Sequence, residues 1–153
     1  MKIEDSPPKK WRAGPPPAAG SFNDAIIGAG SNIHPRRNMR EARKILAESF
    51  TLTGESGPIQ TEPVGGANQP GFLNAVYRIR TSLSLPGLEK ALKGIETRLG
   101  RTRTGDRYAP RIIDLDVLVW NGEIVDSDVF ERLFLQKLLG EIGVFVKSRP
   151  RSL

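Results

Sequence analysis

Apolar positions along the chain switch between two periods. Asp24–Ala29 is a short apolar run and reads as a strand. From Arg37 to Phe50 the period becomes helical, with Met39, Ala42, Ile45, Leu46 and Phe50 on one stripe. Thr51–Thr61 reads as extended, interrupted at Gly54 and Gly57, and Phe72–Arg80 as a further strand. A second helix is predicted over Gly87–Leu99, carried by Leu88, Leu92, Ile95 and Leu99, with Gly100 as its stop. Ile112–Val119 is apolar except for Asp114 and Asp116, and reads as a buried strand. Asn121-Gly122 signals a tight hairpin into Glu123–Val125. Phe130–Ile142 reads as a last helix.

The order β-α-β-β-α-β, followed by a hairpin and a helix, is the split-βαβ pattern. The predicted fold is therefore α+β and ferredoxin-like: an antiparallel sheet with helices on one face, plus a C-terminal hairpin and helix. Residues 1–22 contain Pro7, Pro8, Pro15, Pro16 and Pro17 with few large apolar side chains, and are expected to be a disordered basic tail. The domain is expected over 23–146, with a basic tail at 147–153.

At 153 residues the chain has room for one domain with a real core. It contains no cysteine and one histidine, His34, which excludes disulfides and argues against a zinc site. No apolar run approaches membrane-spanning length, and no apolar segment follows the N-terminal basic residues, so a cytoplasmic protein without membrane contact is expected. The net charge of +6 points to an anionic partner: nucleotide, nucleic acid or an acidic membrane surface. Gly28-Ala29-Gly30-Ser31-Asn32 resembles the start of a dinucleotide fingerprint. Ile33 stands where its third glycine belongs and no ribose-binding acid follows in a βαβ unit, so that reading fails. No Gly-Lys-Ser/Thr follows a glycine loop, which excludes a P-loop enzyme.

The densest chemistry lies between Leu99 and Trp120. Arg101, Arg103, Arg107 and Arg111 precede Asp114 and Asp116. Strand alternation puts the two acids on one face and Ile113, Leu115 and Val117 on the other. Neighbouring carboxylates repel and resist burial, so a cation belongs between them, either the arginines or a hard ion such as Mg²⁺. A structural ion network and metal-assisted phosphoryl-type transfer both fit this pattern. Asn74 shares a face with Phe72 and Val76. An amide there serves either as a structural cross-link or as the reader of a heterocycle edge, with Phe72 stacking on the ring.

Several motifs together carry a resemblance: Gly30-Ser31-Asn32, Thr61-Glu62-Pro63-Val64-Gly65, Gln69-Pro70-Gly71-Phe72-Leu73-Asn74-Ala75-Val76, Glu96 with Gly100-Arg101-Thr102-Arg103, and Arg107-Tyr108-Ala109-Pro110-Arg111-Ile112-Ile113-Asp114-Leu115-Asp116-Val117. The chain resembles the 6-hydroxymethyl-7,8-dihydropterin pyrophosphokinases over roughly residues 24–125. The resemblance implies transfer of pyrophosphate from ATP to a pterin hydroxymethyl group in folate biosynthesis, with release of AMP. It implies that Asp114 and Asp116 hold two Mg²⁺ ions and that Arg101 and Arg111 are catalytic. Thr61, Val64, Phe72, Asn74 and Phe134 match the pterin pocket. Lys93, Glu96, Arg103, Tyr108, Val117 and Arg132 match positions around ATP. Loops 62–70 and 100–111 are expected to close over the substrates. The partners implied are small molecules, with the protein acting as a monomer.

The chain departs from the pattern after Val125. A Pro-His-containing segment usual at that point is missing, and Asp126-Ser127-Asp128-Val129-Phe130 leads directly into Glu131–Leu135. A relative that binds pterin or nucleotide with little turnover is the alternative this departure raises. An RNA-binding module on the same fold would need a Lys/Arg-Gly-Phe-Gly-Phe type motif, which the sequence lacks.

Overall fold

The computed structural model describes residues 3–5, 22–62, 71–100 and 112–147. Their elements are β1 (Ile3–Asp5), β2 (Asn23–Ser31), α1 (Pro35–Ser49), β3 (Thr51–Glu55), β4 (Ile59–Thr61), β5 (Phe72–Thr81), α2 (Leu85–Arg98), β6 (Asp114–Trp120), β7 (Glu123–Ile124), α3 (Asp128–Glu131), α4 (Leu133–Glu141) and β8 (Val144–Val146). The main sheet is antiparallel with the order β3-β5-β2-β6-β7, and β4 also pairs with β5. This is the ferredoxin-like α+β arrangement read from the element order.

Strand β2 lies at the centre and is flanked along its length by β5 and β6. Ala25, Ile26 and Ile27 are completely buried because both faces of the sheet are covered at this end. On one face, Ala25, Ile27 and Ala29 meet Ala75, Tyr77, Ile79, Ile113, Leu115 and Val117 beneath the apolar stripes of α1 and α2. On the other, Ile26, Val76, Leu118 and Val119 pack under Leu135, Leu138 and Leu139 of α4. Alternation along β6 is interrupted once. Ile26 pairs with Val119 and Ile27 with Val117, which leaves Leu118 as a bulge residue. Leu118 and Val119 consequently enter the same core.

The predicted interruption of the edge strand is real. The register between β3 and β5 shifts between Leu52 and Gly54, and residues 56–58 separate β3 from β4. Ser56 bridges the gap: its N–H donates to the Val76 carbonyl (3.0 Å) and its Oγ accepts the Val76 N–H (2.9 Å). Helix α2 starts at Ser84, whose Oγ accepts the Gly87 N–H, and ends before Gly100 at φ 113°, a conformation that favours glycine. Asn121 and Gly122 have φ 47° and 84°, as a tight hairpin turn between β6 and β7 requires.

Two expectations need correction. The single helix predicted over Phe130–Ile142 is two helices, because Arg132 is extended (φ −114°, ψ 104°). Local bonds hold this arrangement: Asp126 Oδ1 accepts the Asp128 N–H at the start of α3 (2.9 Å), and Gln136 Nε2 of α4 donates back across the break to the Val129 carbonyl (3.0 Å). Residues 3–5, assigned by composition to a disordered tail, form β1 and pair antiparallel with β8. Backbone pairing with an available edge requires no apolar composition. The rest of 6–21, and the C-terminal stretch 148–153, lie outside the described residues.

Candidate active site

Helix α4 covers only one end of the second sheet face. Beyond it the face opens into a cavity of about 680 Å³. The register of three strands arranges its floor. Asn74 of β5 pairs with Gly30 of β2, and Gly30 pairs in turn with Asp114 of β6. One pleat along, Val76, Gly28 and Asp116 form the parallel row. The two glycines leave the middle of the floor bare between an amide on one side and two carboxylates on the other. The bareness is required: a Cβ on Gly30 would lie 2.8 Å from Asn74 Oδ1, and one on Gly28 would lie 3.0 Å from Leu118.

On the amide side, Asn74 Nδ2 donates to Thr61 Oγ1 (2.7 Å), which fixes the side chain in its plane. The second amide hydrogen and the carbonyl oxygen remain for a ligand, the donor–acceptor pair that reads a heterocycle edge. Phe72 and Phe134 line the same cavity. Phe134 reaches it because the break at Arg132 sets the start of α4 beside the pocket.

On the carboxylate side, Asp114 and Asp116 project together, while Ile113, Leu115 and Val117 are buried in the helix-side core. Asp126, Asp128 and Arg132 complete this wall, with Arg132 Nε 3.4 Å from Asp128 Oδ2. Desolvation in the recess raises the Asp116 pKa, and the negative charges of Asp126, Asp114 and Glu96 add to the effect; Lys93 opposes it. A carboxylate in such a field is a natural partner for a cation. The donors are hard oxygens, and among the described residues no group of three or more His, Cys, Asp or Glu is arranged as a metal cage. Two carboxylates without a cage suit Mg²⁺, which keeps waters and takes substrate phosphates as its other ligands.

Of the residues singled out in the sequence, Thr61, Phe72, Asn74, Asp114, Asp116, Arg132 and Phe134 meet in this one cavity. Lys93, Glu96 and Val117 do not line it. Val117 is 7% exposed and points into the opposite face, as strand alternation dictates. Glu96 is buried at 1% exposure on α2, with Lys93 Nζ 3.7 Å away. Val64, Arg101, Arg103, Tyr108 and Arg111 lie outside the described residues, as do most of the two loops expected to close. The cavity also recruits residues that the sequence reading passed over as site components: Gly28 and Gly30 in its floor, Asp126 and Asp128 in its wall. Alternation from Ile26 places both glycines on the correct face, but only the strand register shows what stands beside them.

A ferredoxin-like sheet carrying an amide-and-aromatic recess beside a paired-carboxylate wall suits a small-molecule phosphoryl-transfer enzyme. Residues 26–144 match the family described as 7,8-dihydro-6-hydroxymethylpterin-pyrophosphokinase, and the chain belongs to that family. The chain is 38% identical over 141 residues to the 2-amino-4-hydroxy-6-hydroxymethyldihydropteridine pyrophosphokinase of Bacillus subtilis, covering 85% of this chain and 84% of that protein. The protein of the same name from Methylorubrum extorquens is 36% identical over 130 residues, covering 78% and 82%. A folate synthesis bifunctional protein of Arabidopsis thaliana is 38% identical over 110 residues, which are 71% of this chain but 23% of that longer protein.

Proposed function

We propose that this chain transfers the β,γ-pyrophosphoryl group of ATP to the hydroxymethyl group of 6-hydroxymethyl-7,8-dihydropterin, a step of folate biosynthesis. The observation that carries the reading is the row Asn74–Gly30–Asp114. It sets the Asn74 amide and the Asp114 carboxylate on one face, two strand spacings or about 10 Å apart, which supports a heterocycle reader beside a metal ligand. A flat pterin held at Asn74 and Thr61, between Phe72 and Phe134, would extend its hydroxymethyl group over the glycine floor toward the phosphates.

In the proposed reaction the hydroxymethyl oxygen attacks the β-phosphorus. The bond from that phosphorus to the α,β-bridging oxygen breaks, AMP departs, and the hydroxyl proton is released. Asp114 and Asp116 would hold two Mg²⁺ ions, which neutralise and align the triphosphate when bound. By resemblance, Arg101 and Arg111 act on the transferring group, Arg103, Tyr108 and Arg132 on the nucleotide, and Val64 on the pterin. No described side chain needs to act as a general base; positioning supplies the rate enhancement. We place the protein in the cytoplasm, acting as a monomer; among the described residues no helix is long and apolar enough to cross a membrane.

The test is direct. The full chain incubated with ATP, Mg²⁺ and the hydroxymethyl dihydropterin is expected to form AMP and the pterin diphosphate in equal amounts, and Asp116→Ala to abolish both. Tight pterin binding without AMP would establish the low-turnover alternative instead.

A further inference from the structure

The first half of β6 is a sheet edge. Its inner side pairs with β2 through Gly30↔Asp114, Ala29↔Leu115 and Gly28↔Asp116. On the outer side, β7 reaches only Val119 and Trp120. Residues 114–117 therefore have no described strand partner on that side, although Leu115 and Val117 are buried. An edge amide in such a place has neither a ladder nor water to bond with, and leaving it unpaired is costly.

Among the described residues, one side chain stands where a strand would pair. Glu96 is on the inner side of α2, in the turn after Leu92. Its Oε2 accepts the Leu115 N–H at 2.8 Å, and the residue is 1% exposed. Leu115 is the residue between the two acids. Holding its amide fixes both the pleat and the register of the segment from which Asp114 and Asp116 project. The carboxylate of Glu96 meanwhile lies on the helix side of the sheet, away from the cavity.

We infer that Glu96 is a positioning residue for the metal-binding pair: its carboxylate takes the place of a neighbouring strand and sets the separation and direction of Asp114 and Asp116. The inference rests on the reading of those two acids as metal ligands. Second-layer hydrogen bonds of this kind commonly change metal affinity by about 10–100-fold. The acceptor oxygen at the correct reach supplies the larger part of this effect; the negative charge of Glu96, last and smallest of the carboxylate contributions at Asp116, supplies the smaller.

Two variants separate reach from charge. Glu96→Gln keeps an acceptor oxygen at the same distance and loses the charge. Glu96→Asp keeps the charge and is one methylene too short. Mn²⁺ alone is the probe, titrated into the full chain and followed by electron paramagnetic resonance, with the Leu115 amide followed by hydrogen exchange. Positioning predicts that E96Q binds Mn²⁺ within about threefold of wild type with Leu115 still protected. E96D is expected to lose about tenfold or more in affinity together with that protection. The reverse order, or equal affinity in all three proteins, overturns the inference. Asp114→Asn reports on the underlying reading: if it binds Mn²⁺ as wild type does, the acids are not the metal ligands, a failure distinct from that of Glu96.

Discussion

Asn74 and Asp114 stand on opposite sides of Gly30, each its antiparallel register partner. On the proposed reading, the group that would read the acceptor molecule and the group that would hold the metal are thus both placed by the same residue. Their separation is set by sheet geometry, which varies little.

Gly30→Ala tests that relationship. A Cβ there would lie 2.8 Å from Asn74 Oδ1, so the amide must rotate away. The expected result is a loss of about tenfold in pterin affinity, the worth of one misaligned hydrogen bond, with ATP affinity unchanged. Separate calorimetric titrations with pterin and with a non-hydrolysable ATP analogue would measure it.

Thr61 and Asn74 act as a unit through their 2.7 Å hydrogen bond. Asn74→Ala should lower kcat/KM for the pterin by about 10–100-fold, because it removes the reader itself. Thr61→Val, which removes only its anchor, should cost less. The double variant should resemble Asn74→Ala alone, since the anchor has no purpose without the amide. A double-mutant cycle on kcat/KM that proved additive would contradict this coupling.

Tyr77 is buried in the helix-side core, and desolvation, helped by Glu55, pushes its pKa up to about 12. The folded state therefore keeps the phenolic proton after the unfolded chain has released it. The associated stability is complete below the ordinary tyrosine range near pH 10 and is lost as pH rises toward 12. Tyr77→Phe should remove that loss, on the order of 2 kcal/mol at the alkaline end. Urea midpoints for both proteins across pH 8–11 would show the curves diverging upward from about pH 10.

Arg43 and Glu55 form a two-bond ion pair at 2.6 and 2.7 Å between α1 and β3. The hydrogen bond from Arg43 lowers the Glu55 pKa, so its contribution is present above the usual glutamate range and disappears as pH falls through the lowered value. Both side chains are exposed and screened by solvent. Glu55→Gln should cost only about 0.5 kcal/mol, and less in high salt; thermal melts at two ionic strengths are sufficient to measure it.

Local periodicity carried much of the fold. The opposed faces of 113–117, the stripes of α1 and α2 and the Asn121-Gly122 turn each depend on residues close in sequence. What escaped was set by distant strand partners or by side-chain bonds that leave no mark on the apolar pattern. Nothing near Arg132 announces that the helix breaks there, since Val129, Phe130, Leu133 and Phe134 keep an apolar pattern across it. The bulge at Leu118 is visible only against Ile26 and Ile27 of β2. The site followed the same division. Asn74, Phe72 and the two acids were legible as residue types on a face. Gly28 and Gly30 became site residues only once the register set them between amide and acid. For Asn74 the cross-link is present, and it leaves room for the proposed reader role, because the bond to Thr61 uses one of its two amide hydrogens.

The partial cover that α4 gives the second face has a consequence for how substitutions distribute. Ile26 and Val76, with no exposed area, are separated from Gly28 and Asn74 by one pleat repeat, about 7 Å. Geometry at the open end is therefore inherited from the closed end, and no hinge lies between them within a strand. Variants that loosen the closed end should keep a correctly shaped floor until the whole sheet melts. Damage to that core would then appear as fewer competent molecules, each with unaltered selectivity.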